Sequence, residues 1–205
     1  MMVLEGIVTT LGVDGRLNIA PMGARVDPGA GAVLDRGFVL RPYEGSRTHA
    51  NLRSSREGVL HVTDNVLMLA RAAIGQEFET PTRPAEAVDG RILLDACRYA
   101  EFRVMAFEED VAPARATVEV VRQGRFRDFF GLNRAKHAVV EAAILATRIR
   151  HLPPATILDD LNRLRPLVHK TGGPDEHQAF DLLTDWIAAA LEQGATLEQA
   201  TTNKI

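Results

Sequence analysis

The hydrophobic pattern of this 205-residue chain changes its period near residue 133, and this change constrains the fold most strongly. Before that point, short aliphatic runs alternate with Gly, Pro and Asp-Gly turns, which is typical of β-strands. After it, apolar residues recur every three or four positions, as in amphipathic helices. Strands followed by helices favour an α+β fold over alternating βαβ units. We therefore predict a strand-rich domain at residues 1–131 and a small C-terminal helical subdomain at residues 132–205.

The best-defined local element is a hairpin at residues 4–26. Two β-prone runs, LEGIVTTLGV and RLNIAPMGARV, flank Asp14 and Gly15. Asp-Gly supplies the positive φ angles that a tight hairpin turn requires. Residues 32–41 predict a third strand, and Pro42 ends it because proline has no N–H to donate.

Three further stretches bring the predicted sheet to about six strands, the usual size of a closed or sandwich-like antiparallel sheet. They are VLHVTD at 59–64, one long or broken strand at 92–110, and ATVEVVRQGRF at 116–126. Between the first two, residues 66–74 predict a helix that Asp64 or Asn65 caps and Gly75 ends. Proline and acidic residues predict a loop at 78–90.

The remainder of the chain predicts three helices. Apolar residues at helical spacing mark the first of them, which begins after Asn133: Ala135, Ala138, Val139, Ala142, Leu145, Ala146 and Ile149. Residues 156–168 follow a pair of prolines, and residues 175–193 follow Pro174, which is tolerated in the first turn of a helix.

Composition excludes several classes of function. The 24 basic and 27 acidic residues give a net charge of -3, which argues against a nucleic-acid partner. One cysteine, Cys97, and no clustered Cys/His ligands argue against a disulfide or a metal site. No apolar run approaches the roughly 20 residues of a membrane span, and the start lacks the basic region of a signal peptide. We therefore expect a cytoplasmic protein that binds no metal and no membrane.

One polar stretch, RPYEGSRTHANL at 41–52, lies at a predicted strand-to-helix junction. A helix N-terminus exposes unpaired N–H groups and a partial positive charge, so it can hold an anion. Ser46, Thr48 and Asn51 would add short polar side chains, and Arg41 or Arg47 could meet phosphate oxygens. The residue types leave two interpretations open: a phosphate site, or Thr48 as a plain helix cap with solvated arginines around it.

Three segments taken in order, VTTLGVDGRLNIAPMG, RPYEGSRTHANL and VLHVTD, resemble the FMN-binding split-barrel proteins. This broad group includes flavin reductases and pyridoxamine-phosphate-oxidase-like proteins. The resemblance covers residues 3–130 and rests on these positions: Thr9 or Thr10, Asp14, Gly15, Asn18, Ala20, Pro21, Ser46, Thr48, Asn51 and Leu52. The continuation at 131–148, with HKTGG later, is similar to an uncharacterised archaeal and bacterial family that joins this barrel to a C-terminal helical unit.

The resemblance implies an antiparallel split β-barrel that forms a homodimer, with FMN at the subunit interface. The junction would hold the phosphate, and the main chain of the second strand would run beside the isoalloxazine ring. His61 either reaches the cofactor or is paired inside the sheet. The implied cofactor contacts are Asn18, Ala20, Pro21, Met22, Arg41, Ser46, Arg47, Thr48, Asn51, His61 and Thr63.

The activity that the resemblance implies is an oxidoreductase that passes electrons or hydride through bound FMN. Two alternatives stay open: a flavin-binding carrier without turnover, and an enzyme of pterin or deazaflavin metabolism, since those flat ring systems suit the same pocket. The chain lacks a recognisable Arg/His set for pyridoxal phosphate. No catalytic residue is predicted.

Overall fold

The computed structural model describes the backbone of residues 2–27 and 37–202, and the side chains of residues 2–27 and 37–193. Its contacts divide the chain into two compact units. The barrel unit comprises Met1–Asp64 and Glu79–Phe130, and the helical unit comprises Asn65–Phe78 and Gly131–Ile205. The short helix that follows Asp64 in the sequence therefore belongs, by its contacts, to the helical unit.

The barrel unit contains one helix and eight strands in the described residues. They are β1 (Met2–Leu11), β2 (Leu17–Val26), β3 (Phe38–Leu40), α1 (Arg47–Ser55), β4 (Glu57–Val62), β5 (Thr82–Pro84), β6 (Arg91–Leu93), β7 (Arg98–Glu108) and β8 (Arg115–Arg125). Six strands close a barrel in the order β1-β2-β3-β8-β7-β4. Every neighbouring pair is antiparallel. The predicted antiparallel barrel is confirmed.

The hairpin forms as predicted, although its strands are joined by the five-residue loop 12–16 and only Gly15 of the Asp-Gly pair has a positive φ. β1 and β2 pair along their whole length, from Met2 opposite Val26 to Leu11 opposite Leu17. Gly15 has φ +74°, a conformation that glycine adopts without a steric penalty.

The structure bears on three other predictions for this unit. The third strand is described only at Phe38–Leu40, and residues 28–36 lie outside the described part of the chain. The stretch at 92–110 is broken into β6 and β7. The predicted loop at 78–90 contains β5, which pairs with β6 alone, and Pro84 is tolerated there because a strand with one partner leaves its other edge unpaired.

The barrel interior is apolar and extends to α1. Val8, Leu60 and Phe102 are fully buried in one cluster, and Leu52 of α1 belongs to the same cluster. Burial of side chains of this size contributes about 1.5–3 kcal/mol each. Because Leu52 is fully buried in that cluster, α1 is held against the barrel core, which fixes the position of the helix start.

The helical unit contains four described helices: α2 (Val66–Ala73), α3 (Arg134–Thr147), α4 (Pro154–Thr171) and α5 (Pro174–Thr202). Asn133 caps α3, because its side-chain oxygen accepts from the N–H groups of Ala135 and Lys136 at 2.8 and 3.1 Å. The last helix runs further than the predicted end at residue 193. None of the helices in the described part is both long enough and apolar enough to cross a membrane.

Candidate functional site

The N-terminus of α1 is capped by Ser46. Its Oγ accepts from the N–H of His49 at 3.1 Å, and its backbone is extended, with φ -75° and ψ 152°. The expectation that Thr48 caps this helix is wrong. Gly45, at φ +78°, turns the chain just before Ser46, so the helix begins at Arg47 and Thr48 lies inside its first turn.

Two main-chain donors remain at this helix start. Ser46 accepts two hydrogen bonds, each of 3.1 Å: its Oγ accepts from the N–H of His49, and its carbonyl oxygen accepts from the N–H of Ala50. The N–H groups of Arg47 and Thr48 have no hydrogen-bond partner among the described residues. Unpaired N–H groups at the positive end of a helix are suited to an anion.

A cluster of short polar side chains adjoins these donors; we call it the hydroxyl–amide cluster, formed by Thr10, Asn18, Thr48 and Asn51. Asn18 Nδ2 donates to Thr48 Oγ1 at 3.0 Å and to Thr10 Oγ1 at 3.4 Å. Asn51 Nδ2 donates to Thr10 Oγ1 at 3.0 Å. Thr10 and Thr48 are buried, at 0% and 3% exposed. The cluster thus ties the β1–β2 hairpin to α1.

Thr10 is not among the site residues predicted from the sequence. The motif offered Thr9 or Thr10 without a way to choose between them. Alternation along β1 provides the missing signal, since Thr10 lies on the same face as Val8 of the barrel interior, whereas Thr9 faces away and donates to the carbonyl of Arg91.

The two arginines of the junction lie in different surroundings. Arg41 is half-buried, and its Nε donates to the carbonyl oxygen of Pro113 at 2.9 Å. This bond anchors the guanidinium and leaves both Nη nitrogens without a partner among the described residues. Arg47 is exposed. Arg41 is therefore anchored to the main chain of Pro113, whereas the side chain of Arg47 is exposed to solvent.

On its side away from β1, the second strand is largely unpaired within the described part of the chain, and we call this side its open edge. Among the described residues, β2 meets β3 in a single pair, Arg25 opposite Val39. Pro21 lies opposite Ile7 of β1. The carbonyl oxygen of Ile7 faces His61 on the other neighbouring strand, β4, so this is a pair without main-chain hydrogen bonds. Pro21, which has no N–H to donate, therefore directs its carbonyl away from β1.

Ala20, Pro21 and Met22, which we expected to offer main-chain groups to the flavin ring, do not all face the same side of β2. Main-chain groups alternate in direction along a strand. Those of Ala20 and Met22 therefore face β1, and Pro21 directs its carbonyl to the open edge. All three residues are half-buried.

The His61 ring lies inside the barrel wall. Leu93 N–H donates to Nε2 at 3.0 Å, which leaves the proton on Nδ1, 3.2 Å from the carbonyl oxygen of Ile7. Burial lowers the pKa of His61 from 6.5 to about 4, although the contact with Ile7 opposes this shift. Of the two alternatives for His61, the geometry matches pairing inside the sheet. Thr63 lies beyond the end of β4 and is half-buried.

Two family models match the sequence. Residues 4–126 match the N-terminal domain of DUF447, a protein of unknown function, and residues 133–185 match the second DUF447 model. Together they account for both the barrel and the helices. The chain belongs to the DUF447 family. This confirms the similarity to an uncharacterised family that joins a barrel to a helical unit.

Solved structures extend the comparison. FMN-bound protein MM1853 from Methanosarcina mazei, also matched to DUF447, has a TM-score of 0.76 and 20% identity over 90% of this chain and 94% of that chain. The 2-nitrobenzoate 2-nitroreductase NbaA of Pseudomonas fluorescens has a TM-score of 0.50 and 17% identity over 60% of this chain and 64% of that chain. At these identities the likeness shows the fold. Among curated proteins, no sequence matches this chain.

Among the buried carboxylates of this DUF447 protein is Asp64, which the sequence indicated only as a candidate cap for α2; Asn65 provides that cap. Asp64 follows β4 and is 7% exposed. Its two carboxylate oxygens accept hydrogen bonds from the two terminal nitrogens of Arg127 at 2.6 and 2.9 Å. It also accepts from the N–H of Phe130 at 2.7 Å. The hydrogen bonds from Arg127 lower the pKa of Asp64 from 3.8 to about 2, with burial opposing and Phe130 assisting. This clamp fixes the segment after β8.

Proposed function

We propose that this DUF447 protein binds FMN, with the phosphate at the start of α1. The observation that carries the proposal is the pair of unengaged N–H groups of Arg47 and Thr48 beside the hydroxyl–amide cluster. A phosphate dianion needs several hydrogen-bond donors. The described side chains of the junction supply donors, and the family relative with 20% identity is described as FMN-bound.

The hydrogen-bond directions inside the cluster suit a dianion. Thr48 Oγ1 already accepts from Asn18, so its own hydrogen is available to a ligand. Asn51 uses one hydrogen of Nδ2 on Thr10 and keeps the second. With the two main-chain N–H groups and the guanidinium of Arg41, the phosphate would receive mainly charge-assisted hydrogen bonds, which contribute about 1.5–3 kcal/mol each.

The flat ring would lie along the open edge of β2. The chain from Asn18 to Pro21 leads away from the phosphate donors at about 3.3 Å per residue, a scale that suits the ribityl chain. At Pro21 a main-chain carbonyl faces the edge and can accept from a ring N–H. Main-chain groups recognise a heteroaromatic edge without the cost of ordering a side chain.

We infer an oxidoreductase that works as a homodimer, in which a second copy covers the exposed side of the ring. Bound FMN supplies hydride or electron transfer, and the protein binds, orients and shields it. The half-buried state of Pro21 supports this arrangement, because Pro21 lies on the other face of β2 from the core residue Met22, and an apolar strand position left partly open is available to a partner.

A carrier without turnover is the second candidate, and His61 favours it. The ring is neutral, and both of its nitrogens are engaged inside the wall. The ring could therefore exchange a proton with a substrate only if one of its hydrogen bonds inside the barrel wall were broken. Stopped-flow mixing of the FMN-loaded protein with NADH or NADPH separates the candidates. Bleaching of the flavin band supports the oxidoreductase, and an unchanged band supports the carrier.

The absorption spectrum of the purified protein tests the binding itself. We expect flavin bands, or uptake of added FMN by a colourless preparation. Thr48→Ala should weaken FMN binding about ten-fold or more, because it removes a hydrogen bond to a charged group. Riboflavin, which has no phosphate, should be almost unaffected.

A matched control is available on the same helix. Ser54→Ala removes a hydroxyl that is exposed near the other end of α1 and donates to the carbonyl of Asn51. It should leave both affinities unchanged. A protein that neither carries nor takes up FMN contradicts the proposed function, and equal losses for FMN and riboflavin in Thr48→Ala contradict the placement of the phosphate.

A further inference from the structure

We propose that Thr10 is a positioning residue that makes this site selective for a phosphorylated ligand, acting through Asn18 and Thr48. The inference rests on the proposed function and deepens it. Thr10 need not touch the phosphate. Its effect is to decide whether the hydroxyl of Thr48 presents a hydrogen or a lone pair to the ligand.

The geometry puts Thr10 at the centre of the hydroxyl–amide cluster. Its Oγ1 accepts from two amides, Asn18 Nδ2 at 3.4 Å and Asn51 Nδ2 at 3.0 Å, and its side chain is fully buried. One hydroxyl hydrogen can satisfy at most one amide oxygen, whereas its two lone pairs can accept from two amide N–H groups. Thr10 therefore favours the amide orientation in which the Nδ2 atoms of Asn18 and Asn51, and not their oxygens, point toward Thr10 Oγ1.

This orientation determines the polarity of Thr48. Asn18 Nδ2 has two hydrogens, one directed to Thr10 and the other to Thr48 Oγ1 at 3.0 Å. With a lone pair of Thr48 filled in this way, its hydrogen points to the ligand. If the amide of Asn18 were reversed, its oxygen would accept that hydrogen, and Thr48 would present lone pairs to a dianion.

The consequence is a change in ligand preference and not merely in affinity. A phosphate binds more tightly when Thr48 presents a hydrogen-bond donor to it and more weakly when Thr48 presents an acceptor. Riboflavin has no phosphate, so its binding should be insensitive to the direction of this hydrogen. The ratio of the riboflavin Kd to the FMN Kd therefore measures what Thr10 does.

The chain offers a close control for a substitution at Thr10. Thr9 is the adjacent residue of β1, is also fully buried, and donates to the carbonyl of Arg91 at 2.6 Å on the opposite face of the strand. Thr10→Val and Thr9→Val each replace one buried hydroxyl by a methyl group. Only the first removes a hydroxyl from the cluster.

The experiment measures the Kd for FMN and for riboflavin by quenching of flavin fluorescence in the full-length protein. We expect Thr10→Val to reduce the preference for FMN about ten-fold, the size of one hydrogen bond to a charged group. Thr10→Ser should restore the preference, and Thr9→Val should keep it. A variant that is partly unfolded binds both ligands more weakly by the same factor. The ratio of the two Kd values therefore does not depend on the stability of the variant.

A second variant keeps the test decisive if Thr10→Val does not fold. Asn18→Asp places only acceptors beside Thr48 and should also abolish the preference for FMN. Retention of the wild-type ratio in Thr10→Val or in Asn18→Asp overturns the inference, as does an equal loss in Thr9→Val. A wild-type protein that binds riboflavin as tightly as FMN overturns the phosphate site itself, and this result is separate because it involves no variant.

Discussion

Replacing Asp64 by asparagine should weaken the barrel unit, and the loss should depend on pH. The carboxylate is almost fully buried and is held by both terminal nitrogens of Arg127 and by the N–H of Phe130. An asparagine oxygen can still accept one of these hydrogen bonds. The charge is lost, and Arg127, which is 40% exposed, remains hydrated.

The expected magnitude follows from the pKa of Asp64, which folding lowers from 3.8 to about 2. A shift of this size corresponds to about 2 kcal/mol of the free energy of unfolding. The folded state binds this proton less readily than the unfolded chain does. The contribution is therefore complete above pH 3.8 and is lost as the pH falls through about 2.

Urea unfolding of the wild type and Asp64→Asn, followed by circular dichroism at several pH values, measures this contribution. The difference should be about 2 kcal/mol near neutral pH and should shrink between about pH 4 and pH 2. Asp95→Asn is the matched control, because Asp95 is 47% exposed and its Oδ1 lies 3.9 Å from the same nitrogen of Arg127. It should cost at most about 1 kcal/mol. A loss for Asp64→Asn that is independent of pH, or no larger than that of the control, would refute the reasoning.

Two further measurements test the barrel wall and the turns. The ring resonances of His61 should show no titration between pH 7 and pH 5 in an NMR experiment, because its pKa is lowered to about 4; titration near its ordinary pKa of 6.5 would show that the ring is not sealed in the wall. Gly37→Ala should destabilise the protein more than Gly15→Ala, since both have positive φ but an added Cβ overlaps the carbonyl oxygen of Val118 only at Gly37. Gly15→Ala should cost about 1–2 kcal/mol in thermal or urea unfolding, and equal losses would contradict the close approach to Val118.

The predictable parts of the fold are those that short stretches of sequence determine. The Asp14 side chain accepts from the N–H of Arg16 and Gly15 adopts a positive φ, so the loop between β1 and β2 is determined locally. Asn133 supplies a cap to the residues directly after it, and the apolar period then extends α3. In both cases the interacting groups lie within four residues of each other, so a single segment contains the whole signal.

The parts that the sequence did not predict depend on contacts between distant residues. Asn51 reaches Thr10 across 41 positions, and Arg127 reaches Asp64 across 63. No local pattern indicates such pairs. The choice of cap at α1 shows a subtler limit, because Ser46 and Thr48 are both good caps and the left-handed turn at Gly45 decides between them.

The open edge of β2 has a consequence for the solubility of the protein. An unpaired strand edge offers a row of donors and acceptors to any extended peptide, and this is a common route to aggregation. Pro21 removes a donor from the middle of that row on the outward side, so a strand from another chain meets a gap in its ladder. A small flat molecule needs only a few of these groups. The proline thus discourages strand addition, and under the proposed function it would leave the edge to the flavin ring.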